Sequence, residues 1–189
     1  MIYDSQAHHR RSIRLPTYDY SQPGAYFVTL CAEQRTCLFG EIVEEEMRLN
    51  EYGAVVRACW HNLPVHFPYL TLDEMIVMPN HVHGILALGE SAGSVSAHGV
   101  GAGLRPAPTV VARKRHGLPE IVRALKSFSA RRINTLRGTP GTRVWQRNYY
   151  ERVMRNHREL EKVREYITTN VSRWALDREN PSYERGSSP

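Results

Sequence analysis

Residues 78–88 read Met-Pro-Asn-His-Val-His-Gly-Ile-Leu-Ala-Leu, with the turn dipeptide Pro79-Asn80 ahead of an apolar run. Such a run is typical of a β-strand, and residues two apart on a strand point the same way. The imidazoles of His81 and His83 can therefore converge on one divalent metal ion. The alternative is a surface strand whose histidines hold no ligand.

The segments around this stretch predict a small alternating fold. In chain order they are a strand at 25–32, a helix at 50–62, strands at 69–78 and 81–88 joined as a hairpin, a helix at 118–136, a strand at 142–154 and a last helix after Asn156. The prediction is an α+β fold of order β-α-β-β-α-β-α, with an antiparallel sheet and helices on one face. A ferredoxin-like plait and an RRM-like sheet share that architecture, and propensity alone does not separate them.

The last helix carries a second group of polar side chains. Asn156 is its predicted N-cap, with Glu159 three residues on as the reciprocal partner. Its predicted core stripe consists of Leu160, Val163, Ile167, Val171 and Trp174. Tyr166 and Asn170 lie one helical turn apart on a flank of that stripe, where a nucleophile and a supplementary metal ligand could be covered without joining the core. The alternative is a boundary tyrosine with its hydroxyl in water.

Taken together, these features resemble the single-tyrosine HUH transposases, and most closely the REP-associated tyrosine transposases. The motifs that carry the resemblance are residues 10–14, 18–31, 38–40, 78–84, 145–150 and 166–170. HUH denotes two histidines around a bulky apolar residue, as in His81-Val82-His83. The resemblance implies that His81 and His83 bind the metal, that Tyr166 attacks DNA and that Asn170 can complete the metal site. The family usually places proline after this asparagine; Val171 stands here, which predicts a longer helix.

The function implied by this resemblance is cleavage and rejoining of hairpin-containing single-stranded DNA through a covalent 5′-phosphotyrosine, with Mg²⁺ or Mn²⁺ as cofactor. Two other functions stay open. One is a non-catalytic RRM-like nucleic-acid binder, and the other is a metal-dependent phosphodiesterase in which water attacks and Tyr166 is structural. The family includes single-chain enzymes and swapped dimers, so both a monomer and a homodimer are compatible with the sequence.

The positive charge is concentrated in one half of the chain. Residues 104–174 hold 17 lysines and arginines against 5 glutamates, whereas the rest of the chain holds 8 against 14 acidic residues. A segregated basic surface with interleaved aromatic residues indicates a nucleic-acid partner, the alternative being a solvated basic face. The predicted DNA-binding residues are Arg123, Lys126, Arg131, Arg132, Arg137, Trp145 and Arg147. Arg132 interrupts the apolar side of its helix, so its stem covers core or its guanidinium points at phosphate.

Length and composition predict a single domain spanning residues 1–189, since 189 residues with 41% hydrophobic content can bury a core. Its predicted parts are an N-terminal arm at 1–24, a core at 25–176 with a flexible loop at 89–117, and a C-terminal tail at 177–189. Three cysteines cannot all pair and lack metal-type spacing, which indicates reduced thiols in a cytoplasmic protein. No apolar stretch suggests a signal peptide or a membrane span.

Overall fold

The described part of the chain, residues 18–90, 116–177 and 180–181 of a computed structural model, contains six β-strands and four α-helices. The strands are β1 (Gly24–Cys31), β2 (Gly40–Val43), β3 (Glu46–Leu49), β4 (Leu70–Val77), β5 (His81–Leu88) and β6 (Tyr150–Met154). The helices are α1 (Glu51–His61), α2 (Leu63–His66), α3 (Leu118–Leu136) and α4 (His157–Thr168).

Four of the strands form one antiparallel sheet in the order β4-β5-β1-β6. The hairpin predicted at Pro79-Asn80 joins β4 to β5, so the two histidines open an interior strand. In the β1–β5 register, Cys31 pairs with His81 and Thr29 pairs with His83. The predicted fold class is therefore confirmed as an α+β fold with helices packed on an antiparallel sheet.

The two faces of this sheet bury different side chains, because neighbouring residues on a strand point to opposite sides. The larger core contains Tyr26, Val28 and Leu30 of β1, Val82 and Leu86 of β5, and apolar residues of α1 and α3. The smaller core contains Phe27, Ile85 and Met154, together with Val163 and Ile167 of α4. His81 and His83 share the parity of Ile85, so they lie on the α4 face.

The prediction that all helices lie on one face is therefore wrong for α4. The apolar stripe of this helix was predicted correctly in Val163 and Ile167, but a stripe does not specify which side of the sheet it covers. The predicted extension of the helix is also wrong, since α4 ends at Thr168 and Asn170 lies in the turn beyond it. The predicted N-cap is confirmed: the Asn156 side chain accepts a hydrogen bond from the backbone N–H of Glu159.

The predicted element order omitted the β2–β3 hairpin and the single turn α2. These strands have four residues each and turn at Glu44-Glu45, where both residues have positive φ, 52° and 62°. That geometry normally selects Asn or Gly, so two glutamates gave no turn signal. The predicted last strand was too long, because only Tyr150–Met154 joins the sheet.

One glycine of β5 is required by packing. The side chain of Trp60, which is fully buried on α1, occupies the space where a Cβ of Gly84 would stand, and the two would overlap at Trp60 Cη2. The absence of a side chain at Gly84 thus lets α1 approach the strand that carries the histidines.

Most of the predicted arm, loop and tail lies outside the described residues, which omit 1–17, 91–115, 178–179 and 182–189. Within the described part, no helix has the length and apolar character that crossing a bilayer requires.

Candidate active site

Two buried histidines converge at the start of β5. His81 and His83 have 0% and 3% of their surface exposed, and their Nε2 atoms lie 3.0 Å apart. Ligand atoms on adjacent vertices of an octahedron around Mg²⁺ lie about 3 Å apart, given metal–oxygen distances of about 2.0–2.1 Å. The spacing of the two nitrogens therefore fits a pair of ligands to one ion.

The orientation of His81 is fixed by Asn80. The Asn80 side-chain amide donates through Nδ2 to the backbone carbonyl of Arg35, at 3.1 Å, so its Oδ1 must face the imidazole. His81 Nδ1 lies 2.8 Å from that oxygen and therefore carries the proton, which leaves the Nε2 lone pair for a ligand. His83 Nδ1 lies 2.9 Å from the Thr29 hydroxyl, which can accept the equivalent hydrogen bond.

Two oxygen-bearing side chains, Asp177 and Asn170, line the same cleft as His83. Asp177 places Oδ2 3.9 Å from His81 Nε2, and the ligand atoms of His81, His83 and Asp177 all lie within 4.8 Å of one another. These three residues form a largely buried group that can hold a metal ion. Asn170 is 2% exposed, and its Oδ1 has no hydrogen-bond partner among the described residues. A buried amide oxygen without a partner is costly unless something binds it, so Asn170 also fits a ligand role.

Burial keeps both imidazoles neutral. The pKa of His81 is lowered to about 4, chiefly because burial disfavours the charged form; Asp177 opposes this shift and Arg35 adds to it. The pKa of His83 is also lowered, first by burial and then by His81. Neutral imidazoles are the form that binds a metal ion, so no proton has to be displaced near neutral pH.

These pKa values predict acid destabilisation of the metal-free protein. Because the pKa of His81 falls from 6.5 in the unfolded chain to about 4, the unfolded chain binds more protons between these values. The free energy of unfolding should therefore decrease as the pH falls through this window, by about 2 kcal/mol from His81 alone between pH 7 and pH 5. Urea unfolding in EDTA measures the effect. The His81→Gln variant should show a smaller dependence, and an equal dependence would contradict the assignment.

The side chain of Tyr166, on α4, contacts the histidine pair. Its hydroxyl lies 3.2 Å from His83 Nε2, and its ring stands edge-on to Phe27 at 6.1 Å. The residue is 36% exposed, so part of its side chain is accessible to solvent. Val163 and Ile167 anchor the helix beneath it in the smaller core. The structure thus brings together Tyr166, His81 and His83, as the sequence predicted, all within one chain.

A salt bridge orients the tyrosine helix on the sheet. Arg164 forms a bidentate ion pair with Asp73, with Nε 2.9 Å from Oδ1 and Nη2 2.5 Å from Oδ2. Asp73 lies in a β-bulge of β4, where the register with β5 shifts between Leu72 and Met75. Hydrogen bonds from Arg164 lower the pKa of Asp73, so the carboxylate stays charged. The contact links α4 to β4 two residues before Tyr166.

The candidate active site opens into a cleft of about 640 Å³. Its lining residues are Phe27, Thr29, Cys31, Arg35, His83, Gln146, Asn148, Tyr149, Tyr150, Tyr166, Asn170, Arg173, Leu176 and Asp177. Two further tyrosines, Tyr149 and Tyr150, also line this cleft. Tyr150 packs edge-on to Phe27 at 6.4 Å, and Lys126 lies 5.5 Å from the ring centre of Tyr149.

A basic groove of about 570 Å³ adjoins the cleft. Among its lining residues are Arg123 and Lys126 of α3 and Arg143 and Arg147 of the segment before β6. Gln146 and Tyr149 line both the groove and the cleft, so these two residues separate the groove from the cleft. The groove therefore offers cationic side chains next to the candidate active site.

The aromatic residue among the predicted DNA-binding residues is largely buried. Trp145 lines the groove, but it is only 7% exposed, donates through Nε1 to the Ser129 hydroxyl and packs on Phe39, so its ring belongs mainly to the core. Its prediction from aromatic content is corrected on this ground.

Three of the predicted basic residues lie outside the lining of the groove: Arg131 and Arg132 of α3, and Arg137 directly after it. Arg131 packs over Phe128, and Arg132 contacts Cys59 Sγ at 3.7 Å. Arg137 donates to Asn134 Oδ1 and to the carbonyls of Thr142 and Arg143. Lys126 lines the groove while its ammonium donates to the carbonyls of Gln146 and Asn148. Of the predicted basic residues, Arg123, Lys126 and Arg147 therefore line the groove, and Arg143 lines it as well.

Comparison with known proteins identifies one relative by sequence and solved structures with a similar fold. An uncharacterized protein of Haemophilus influenzae (strain ATCC 51907 / DSM 11121 / KW20 / Rd) is 36% identical over 178 residues, which cover 93% of this chain and 95% of that protein. This chain belongs to the same family. No family model matches it. Among solved structures, a REP-associated tyrosine transposase bound to a REP hairpin aligns with a TM-score of 0.54 and 17% identity, over 85% of this chain and 74% of that one. The predicted resemblance to these transposases is confirmed for the fold.

Two residues of the site, Asp177 and Arg35, were not identified from the sequence. Asp177 was assigned to the tail, yet the chain turns back after α4 through the short helical turn Trp174–Leu176 and places the carboxylate at His81. Arg35 was not singled out, because nothing in its neighbours marks it. A single Asp or Arg in an irregular segment carries no periodicity, so only the folded chain reveals either position.

Proposed function

We propose that this chain is a metal-dependent single-stranded DNA transposase or endonuclease, which cleaves and rejoins hairpin-containing DNA through a covalent 5′-phosphotyrosine intermediate. The observation that carries the proposal is the Tyr166 hydroxyl 3.2 Å from Nε2 of His83, itself paired with His81 in a cleft beside a basic groove. The REP hairpin in the transposase that shares this fold supports a hairpin substrate.

The proposed metal ligands are His81 and His83, with Asp177 and Asn170 supplying oxygen atoms. A divalent ion bound there, Mg²⁺ or Mn²⁺, would act as a Lewis acid toward a phosphate oxygen and favour the phenolate of Tyr166. Carboxylate and amide oxygens suit both of these ions, whereas the two imidazoles favour Mn²⁺ over Mg²⁺.

The chemical step uses Tyr166 as a covalent nucleophile. Its oxygen forms a bond to phosphorus, its proton leaves to solvent through the open cleft, and the bond from phosphorus to the 3′-oxygen breaks. The released 3′-oxygen takes a proton from water and leaves as a hydroxyl. Attack by a 3′-hydroxyl on the phosphotyrosine reverses the step and restores Tyr166, so rejoining requires no nucleotide cofactor. Tyr166 and His83 belong to the same chain, and the proposed chemistry therefore needs no second copy.

The deciding experiment uses hairpin-bearing single-stranded DNA, labelled at either end, with Mn²⁺ and a denaturing gel. A 5′-phosphotyrosine predicts that the 3′-labelled fragment migrates with the protein, while the 5′-labelled fragment is released free. Cleavage without any attached protein would instead identify water as the nucleophile. Binding without cleavage would identify a nucleic-acid binder of the RRM-like class.

The basic groove is expected to supply much of the affinity for DNA. Replacing Arg123 and Arg147 together by alanine should weaken binding across many sequences and flatten its salt dependence by about 0.7 in log–log slope per lost phosphate contact. Fluorescence anisotropy at several salt concentrations measures the slope. The matched control replaces Arg57 and Arg158, which are exposed but line neither groove nor cleft. Equal slopes for the two double variants would place the DNA elsewhere.

A further inference from the structure

The short turn after β1 has an unfavourable backbone. Gln34 and Arg35 have φ of 55° and 56°, in the left-handed region that glycine tolerates and other residues rarely adopt. The Glu44-Glu45 turn has the same backbone geometry, so the contacts of the Gln34-Arg35 turn, and not its φ values alone, indicate its role. The observation raises the question of what this turn positions.

Contacts from two other segments hold the turn in place. The backbone N–H of Glu33 donates to the carbonyl of Val144, at 2.8 Å, which links the turn to the segment before β6. Asn80 donates to the carbonyl of Arg35, and its Oδ1 accepts from His81. One amide side chain therefore connects the backbone of Arg35 to a candidate metal ligand.

The side chain of Arg35 lines the same cleft as His83 and Tyr166. Its positive charge also adds to the lowering of the pKa of His81. Arg173, from the turn beyond α4, also lines this cleft. A bound phosphodiester would thus meet a guanidinium as well as the metal ligands.

We propose that Arg35 is a catalytic residue that binds a non-bridging oxygen of the scissile phosphate and stabilises the charge on it while Tyr166 attacks. The inference rests on the proposed function. A guanidinium matches phosphate geometry with paired N–H donors and stays protonated throughout, so Arg35 neither forms nor breaks a covalent bond. Groups aimed at charge that develops in the transition state raise the rate of the chemical step more than they raise affinity.

The test separates the guanidinium from the strained backbone. Gln34→Gly relieves the unfavourable φ at one position and keeps Arg35, so it should form the adduct at the wild-type rate. Arg35→Gly relieves the same kind of strain and removes the guanidinium. At saturating hairpin DNA with Mn²⁺, its rate of adduct formation should fall about 10- to 100-fold while its Kd changes less than about threefold. Arg35→Lys should recover part of the rate, since the charge returns without the paired donors.

A modified substrate tests the contact itself. A methylphosphonate at the scissile position replaces the charged non-bridging oxygen with a methyl group, so the difference between wild type and Arg35→Gly should largely disappear. Equal rates for wild type and Arg35→Gly on normal DNA would overturn the role of Arg35 and leave the proposed function standing. The same conclusion would follow if Arg35→Gly remained slower than wild type on the methylphosphonate. A loss of affinity with no loss of rate at saturation would overturn it too. Failure of the wild-type protein to form any adduct would overturn the proposed function as well.

Discussion

Replacing Tyr166 by phenylalanine is expected to abolish the covalent protein–DNA adduct, with a loss of at least about a thousandfold in its rate of formation. The substitution removes only the hydroxyl oxygen proposed as the nucleophile and its hydrogen bond to His83, and the ring keeps its contact with Phe27. The free energy of unfolding and the Kd for hairpin DNA should therefore stay close to wild type. Denaturing gels of the trapped adduct, together with urea unfolding and anisotropy, measure the three quantities.

Tyr150→Phe is the matched control for this prediction. Tyr150 faces the same cleft and loses the same single atom, but it lies on β6 with its ring against Phe27. Adduct formation by this variant should match wild type. An adduct that persists in Tyr166→Phe, or a nucleotide mapped by peptide sequencing to Tyr149 or Tyr150, would show that the nucleophile was misassigned.

The second large effect is expected from the histidine pair. Changing His81 or His83 to alanine should reduce metal-dependent cleavage by at least about a hundredfold, because each removes one of the two converging nitrogens. DNA binding should weaken only modestly, since the basic groove lies outside the histidine pair. His61→Ala is the control, because His61 is exposed on α1. Unchanged cleavage by either variant in EDTA would refute a metal site on these histidines.

The two proposed oxygen ligands can be ranked by their effect on metal binding. Asp177→Asn and Asn170→Ala should each weaken Mn²⁺ binding, measured by calorimetry, and the larger loss identifies the stronger ligand. The charged Asp177 is expected to contribute more, since a carboxylate attracts a divalent cation more strongly than a neutral amide oxygen.

The sequence predicted the parts of the fold that carry strong periodicity. Leu118–Leu136 was placed at its observed bounds, and the β4–β5 hairpin was found from its apolar runs and Pro79-Asn80. The parity of β5 then sufficed to bring His81 and His83 together. The β2–β3 hairpin escaped prediction because its turn uses two glutamates at positive φ.

Most of the candidate site was predicted from residues that lie on regular elements, although Asn170, predicted as a helix position, lies in the turn after α4. Tyr166 on α4 and the histidines on β5 follow from helical and strand spacing, whereas Asp177 and Arg35 lie in irregular segments. Trp145 was misjudged because composition cannot distinguish an exposed aromatic ring from one whose Nε1 donates to Ser129 inside the core. The side of the sheet that α4 covers depends on chain connectivity over long distances, which a helical stripe does not encode.

The residues of the His81-Val82-His83-Gly84 sequence serve two different purposes. The histidines face α4 and the proposed chemistry, whereas the glycine accommodates the Trp60 indole on the opposite side of the same strand. An alanine there would push α1 outward and bend β5, moving both imidazoles without touching either. This short motif thus combines two independent requirements. The histidines are required by the proposed chemistry, and the glycine is required by the close packing of α1 on the opposite face of the sheet.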